Sequence, residues 1–426
     1  MQTNLIHTPE GVRDTYGTEL IKKRNVMSQI KKQFSSYGYL EIETPTFEFF
    51  DVFSKEIGTI PSNELFKFFD KEGNTLVLRP DFTPSMARCA TKYFMHESLP
   101  IRFSYAGNTF KNKNELQGKL KESTELGVEC IGDKFVEADV EMICLLIDTL
   151  TNLGIENFQI SIGQVDFFKG LCEEAGLDGD TEDLLRTFIS NKNFFGVEEI
   201  LNEKQIPEEI KNIIIHISDM FGSIDAIEKS KNIIKSKRSL EAINNLEKLN
   251  QVLLSCNKAQ FISYDLGMLS KYNYYTGIIF EAYTYGVGDA IAKGGRYDSL
   301  LQHFGKDSPA IGFVITIEDI LTALNRQQIK CDDTINSILL LHDKKSYTNS
   351  LTLATSLRNL GKNVQISALQ FLEPILSNKV QLTDLLDSRQ INDLLIIKDN
   401  TIHKMNLSNQ LLEQFTFEEI IGVYNE

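Results

Sequence analysis

Long apolar runs are missing from this chain, and none approaches the ~18 to 20 residues that a membrane span needs. Proline is scarce, at nine in 426 residues, and with 42% apolar and 24% charged residues the composition excludes disorder and fibrous repeats. The opening MQTNLIHTPEGVRD has neither the basic start nor the apolar core of a signal peptide, which sets the expectation of a cytoplasmic protein with no membrane partner. Only six cysteines occur (Cys89, Cys130, Cys144, Cys172, Cys256, Cys331), scattered and without a CxxC, as suits reduced thiols rather than a disulfide framework or metal site. A basic excess is missing too: the net charge of −15 argues against nucleic acid held by a general basic surface, and leaves room only for a local groove. HExxH, GxSxG, P-loop and dinucleotide fingerprints are all absent, and the six histidines are dispersed singly, so no cofactor or metal is expected.

What is present reads as two or three domains. Residues 19–37 carry apolar side chains at helical spacing and end at Gly38. Next, GYLEIETPTFEFFDVF alternates as a strand does, broken by Pro45. Strand-like runs TLVLRPDFT, IRFSYAGNTF and STELGVECIG follow, and then a helix over 138–153 closed by Gly154. Strands in series with flanking helices predict an antiparallel sheet in an α+β domain over residues 1–325. A helical insertion is expected at about 166–257, a polar linker near 325–336, and a small α/β domain over 337–426, built from SILLL, a helix over 350–360, NVQIS, a further helix and DLLII.

Several segments could carry chemistry. In LRPDFT, Asp81 and Thr83 could accept hydrogen bonds from a ligand ammonium, or could simply end a strand and start a turn. Glu125 and Glu129 sit four apart in a strand, on one face, where they either line an anionic pocket or face solvent. The hairpin lysines Lys111, Lys113, Lys119 and Lys121 could hold a phosphate, although solubilising an exposed loop is the plainer role. Gly294 and Gly295, ahead of Arg296, Tyr297 and Asp298, let backbone approach a ligand or a neighbouring strand closely. SKYNYYTGIIF sets three tyrosines in four positions before an apolar run, which suits a pocket or a sheet interior equally.

In order and spacing, TPEGVRD, GYLEIETPTFEFF, TLVLRPDFTPSMAR, FSYAGNTF with ELGVECIG, YNYYTGIIFEAY, GGRYDSLL and PAIGFVITIEDI resemble the catalytic core of class II histidyl-tRNA synthetases over about residues 5–325. The resemblance implies a sheet flanked by helices and self-association as a class II-type dimer around Pro45. It also implies a histidine site in which Asp81 and Thr83 meet the ammonium. Glu129 and the glutamine-replacing Glu125 supply carboxylates there, and Tyr274, Tyr275 and Tyr297 surround the imidazole.

The nucleotide side departs from that pattern. Where the synthetases carry Phe-Arg-x-Glu, this chain has Phe110-Lys111-Asn112-Lys113; Ser270 stands for an arginine, and Asp319 for the arginine that meets the γ-phosphate. Guanidinium forks grip phosphates bidentately, and each lost charge-assisted contact is worth about 1.5–3 kcal/mol, so three losses would abolish adenylation. A site that keeps histidine recognition without nucleotide chemistry suits a sensor. The combination resembles the regulatory subunits of ATP phosphoribosyltransferase. Members of that family lack catalytic activity, join a short-form catalytic subunit in a hetero-oligomer, and confer feedback inhibition by histidine on the first step of histidine biosynthesis. The tail partly resembles an anticodon-binding domain, but 8 Lys and Arg against 10 Asp and Glu from Asn336 onward give it no basic excess. Two alternatives remain open: a true histidyl-tRNA synthetase, which requires histidine-dependent ATP–pyrophosphate exchange, and a tRNA-binding, amino-acid-sensing paralogue, which requires tRNA retention.

Overall fold

The computed structural model describes residues 6–53, 60–112, 120–269, 274–331, 337–376, 378–406 and 411–425. The chain divides into two compact units, Met1–Asp14 with Val26–Lys330 and Thr15–Asn25 with Cys331–Glu426.

After its N-terminal segment, the larger unit takes up the second half of helix α1 (Gly17–Ser36), whose Val26, Ile30 and Phe34 are buried. It continues through β1 (Leu40–Glu41), β2 (Phe47–Phe49), β3 (Lys67–Phe69), β4 (Thr75–Leu78), α2 (Thr83–Tyr93), β5 (Ile101–Phe110), β6 (Glu122–Ile131), α3 (Val136–Asn152) and β7 (Phe158–Gln164). Next come α4 (Val165–Glu174), α5 (Gly179–Ser190), α6 (Phe194–Glu203), α7 (Glu208–Ile215), β8 (Phe221–Gly222), α8 (Ile224–Glu228) and α9 (Lys237–Ser255). The unit closes with β9 (Ile262–Asp265), β10 (Ile278–Thr284), β11 (Ala292–Arg296), β12 (Ala310–Thr316) and α10 (Ile317–Arg326).

Nine strands form the main sheet in the order β1-β5-β6-β12-β11-β10-β7-β9-β8, and β2-β4-β3 form a second, three-stranded one. The main sheet is mixed rather than purely antiparallel, because β1 runs parallel to β5 and β7 parallel to β9. Both parallel pairings join residues far apart in the chain, as parallel strands must, since no tight turn can connect them. TLVLRPDFT is not one strand either. Strand β4 stops at Leu78, and α2 starts at Thr83 with Pro84 in its first turn, where a missing backbone N–H costs nothing. Helix α3 ends at Asn152 just ahead of Gly154, whose φ of +83° suits glycine. Asn325 and Arg326 are the last residues of α10 rather than linker.

The smaller unit comprises β13 (Ser337–His342), α11 (Tyr347–Asn359), β14 (Asn363–Ala368), α12 (Lys379–Ser388), β15 (Asp393–Lys398), β16 (Thr401–Met405), β17 (Leu412–Phe415) and α13 (Phe417–Asn425). Its sheet runs β14-β13-β15-β16-β17. On β13, Ile338 and Leu340 pack with Leu353 and Ile420 of α11 and α13, while Leu339 and Leu341 pack with Leu382 and Leu386 of α12. A strand covered on both faces must be apolar at every position, which explains the unbroken SILLL run. Strands β16 and β17 and helix α13 go beyond the sequence expectation.

Candidate functional site

Strands β5, β6, β12 and β11 lie side by side in the main sheet, and over them opens a cavity of about 680 Å³. Asp81, Thr83, Glu125, Glu129, Tyr274, Tyr275 and Tyr297 all line it, as do Lys111 and Asp319. Sequence reading named nine of these positions from segments up to 238 residues apart, and the fold gathers them. Ser270, with Lys271, Lys113 and Lys119, lies outside the described residues.

Alternation along β6 sends Glu125 and Glu129 to the cavity face, and both are buried, so the solvent-facing alternative is excluded. Thr83 donates its hydroxyl to one oxygen of Glu129 at 3.0 Å, and the Tyr297 hydroxyl donates to the other. Burial pushes the Glu129 carboxyl up to about 8, against the downward pull of those two bonds. Glu125 is also raised by burial, opposed chiefly by the Lys111 ammonium 3.3 Å away and reinforced by the Asp81 charge. Lys111 therefore turns to a carboxylate at the cavity wall instead of merely solubilising the hairpin, while Lys121 lays its stem along Gly11. Asp81 accepts the Thr83 backbone N–H at 3.0 Å, fixing the start of α2 beside the cavity.

The aromatic wall is equally built. Tyr274 and Tyr275 have ring centroids 4.5 Å apart, and Tyr274 meets Tyr297 edge-on at 5.9 Å. Tyr274 and Tyr297 belong to a buried cluster with Phe82 and Tyr105, so Tyr274 is pocket and core at once, while Tyr272 lies outside the described residues. Two close approaches make the room: a Cβ at Gly312 would run into the Glu129 carboxylate and the Val128 carbonyl, and one at Gly295 into the Tyr275 ring and the Ile278 carbonyl. The glycine pair of GGRYD thus admits a tyrosine ring and a neighbouring strand.

Two arginines in the segments singled out from sequence, one in LRPDFT and one in GGRYD, are structural. Arg79 donates to the backbone carbonyls of Asn108, Thr44 and Pro45 and lies over the Phe82 ring. Arg296, buried, donates to Asp139 at 2.8 Å and to the carbonyls of Asp133 and Phe135. Tyr105, Arg13, Lys293, Asp289 and Glu318 also line the cavity and escaped sequence reading as site residues. For Tyr105 a signal existed: it pairs in register with Gly127, between the two glutamates, where a missing side chain leaves space for its ring. Glu318 accepts the Thr124 backbone N–H at 2.9 Å.

An open groove of about 530 Å³ beside Phe158, Phe261, Tyr283 and Tyr285 offers no comparable convergence of charged groups. Among the described residues no group of three or more His, Cys, Asp or Glu could hold a metal ion, and no helix is long and apolar enough to cross a membrane. Cys89, Cys130, Cys144, Cys172 and Cys256 are free thiols.

The histidyl-tRNA synthetase family model matches residues 11–320. The ATP phosphoribosyltransferase regulatory subunit of Acetivibrio thermocellus is 42% identical over 361 residues, covering 85% of this chain and 86% of that protein. That of Ruminiclostridium cellulolyticum is 38% identical over 418 residues, covering 98% of each chain. A crystal structure of an ATP phosphoribosyltransferase regulatory subunit/histidyl-tRNA synthetase from Bacillus halodurans superposes with a TM-score of 0.80 at 30% identity, over 92% of this chain and 98% of that one. Histidyl-tRNA synthetase from Nostoc shares the fold, with a TM-score of 0.78 at 18% identity over 98% of each chain.

Proposed function

The chain belongs to the histidyl-tRNA synthetase-like family of ATP phosphoribosyltransferase regulatory subunits, and from that premise we propose that it is a non-catalytic subunit that senses histidine in the synthetase-like cavity. It joins a short-form catalytic subunit of ATP phosphoribosyltransferase and relays feedback inhibition to the first step of histidine biosynthesis in the cytoplasm. The observation that carries the reading is the single cavity in which Asp81, Glu125 and Glu129 converge under Tyr274, Tyr275 and Tyr297. Carboxylates and hydroxyls in that arrangement suit an ammonium and an imidazole N–H. At its nucleotide end the arginines that would grip phosphate are replaced: Lys111 is engaged with Glu125, and Asp319 adds negative charge where a γ-phosphate would lie. This supports a degenerate synthetase site.

Histidine regulates only if it binds the active and inhibited assemblies with different affinity. Exposed Phe47, Phe49 and Phe69 on the three-stranded sheet beside Pro45 support self-association as a class II-type dimer. The larger unit carries the effector site in this reading, and the smaller one is a retained, repurposed anticodon-binding-like domain. The test is to mix the protein with a short-form ATP phosphoribosyltransferase and follow phosphoribosyl-ATP formation with and without histidine. The expected result is a complex whose activity requires both chains and falls with histidine; no complex and no change in rate would sink the reading.

A further inference from the structure

Cys89, Cys130 and Cys172 are buried, whereas Cys144 is half-buried and Cys256 is exposed. The last two lie far apart in the sequence but on helices that pack together, Cys144 within α3 and Cys256 as the C-cap residue of α9. Along α9 the buried Leu246, Leu249 and Leu253 form a stripe at helical spacing, and Cys256 is its next position. Two residues on, the Lys258 ammonium donates to the Asp148 carboxylate of α3, which the Tyr37 hydroxyl also holds. Asp148 stands one helical turn beyond Cys144. The Lys258–Asp148 pair therefore pins the end of α9 beside the stretch of α3 that carries Cys144. Burial pushes the Cys144 thiol up to about 11, against the pull of Lys258 and reinforced by Cys256 ahead of Asp148 and Glu141. Such an influence fades with distance, in keeping with two sulfurs that are neighbours across the helix pair.

We propose that Cys144 and Cys256 form a reversible oxidation site, which hydrogen peroxide converts to a disulfide that fastens the end of α9 to α3. The exposed Cys256 reacts first. Its sulfur attacks one peroxide oxygen, an S–O bond forms as the O–O bond breaks, and the departing hydroxide takes the thiol proton and leaves as water. The Cys144 sulfur then attacks the sulfenic sulfur; the S–S bond forms as the S–O bond breaks, and the released hydroxide takes the Cys144 proton to give a second water. In sum, two thiols lose two electrons and two protons, and the peroxide is reduced to two waters. A dithiol reductant reverses the bond by exchange. The Lys258–Asp148 pair is part-exposed and weakened by salt, whereas a disulfide beside it holds the helix end at any ionic strength.

The test treats the full chain, reduced and then freed of reductant, with hydrogen peroxide, unfolds it in an alkylating agent and maps its peptides by mass spectrometry. The wild type should lose two thiols and yield a Cys144–Cys256 linked peptide that dithiothreitol abolishes. Cys144→Ser should stop at a sulfenic acid on Cys256, which dimedone labels, and Cys256→Ser should keep Cys144 reduced. Backbone amides at the end of α9 should exchange more slowly in the oxidised protein than in the reduced one. Absence of the linked peptide from the oxidised wild type overturns the proposal, as does a bond from Cys256 to another cysteine or to a second copy of the chain. Unchanged amide exchange in the cross-linked protein overturns the fastening of α9. The wild-type peptide map needs no substitution, so it decides the matter even where a variant fails to fold.

Discussion

Thr83 and Glu129, 46 positions apart in sequence, share a buried hydrogen bond of 3.0 Å that ties the first turn of α2 to the C-terminal part of β6. The bond joins two chain segments at one side chain. A ligand that engages Glu129 therefore also acts on α2, which carries Asp81 at its entrance.

The protonation of Glu129 makes a pH-dependent prediction. Its folded value of about 8 lies above the ordinary 4.5, so the native state binds this proton more tightly than the unfolded chain does. The resulting stabilisation is complete below about pH 4.5 and is lost as pH rises through 8. Glu129→Gln removes the titration, so the variant should gain on the wild type by roughly 3 kcal/mol between pH 5 and pH 8. Urea midpoints of both proteins across that range check it, and a pH-independent difference would contradict it.

The buried pair of Asp139 and Arg296 holds the start of α3 against β11. Burial raises the Asp139 carboxyl to about 6, although Arg296 pulls it down. Asp139→Ala leaves the buried guanidinium with only the more exposed Asp298, 3.5 Å away, as its anion and should cost about 3 kcal/mol, the lower end for breaking a buried pair. Denaturation with the wild type as reference measures this; a loss below about 1 kcal/mol would mean that Asp298 and the carbonyls of Asp133 and Phe135 suffice for Arg296.

Gly312 bears on the site without supplying a functional group. A methyl there occupies space now filled by the Glu129 carboxylate and the Val128 carbonyl. Gly312→Ala should swing Glu129 away from Thr83 and Tyr297 and weaken histidine binding at least about tenfold, the equivalent of one good hydrogen bond to a charged group. Calorimetric titration of the folded variant reads this directly, and unchanged affinity would show that Glu129 has slack.

How far the fold and site were legible depended on the range of the interactions. The common face of Glu125 and Glu129 follows from strand alternation alone, and helix α1 follows from apolar spacing, whereas α10 is masked in sequence by the strand-like AIGFVIT run that leads into it. Burial of both glutamates did not follow, because it depends on β5 and β12 pairing on either side of β6 and on α2 supplying Thr83. Helix α2 itself was hidden behind the strand-like TLVL and two prolines. The parallel pairs Leu40 with Phe103 and Ile160 with Ile262 are set by tertiary packing, with no local mark at either partner. The Lys111 contact lay within reach: with Phe110 opposite Glu122 in the β5–β6 hairpin, a long side chain at 111 extends back along the strand toward Glu125.

The most direct test of the central claim is a histidine titration of phosphoribosyl-ATP formation by complexes reconstituted with wild-type protein or with Glu129→Ala. The account predicts that both complexes assemble and turn over, that histidine inhibits the wild-type complex, and that the variant needs at least about tenfold more histidine for the same inhibition. Superimposable titration curves would contradict it and move the effector site out of the cavity beneath Tyr274 and Tyr297.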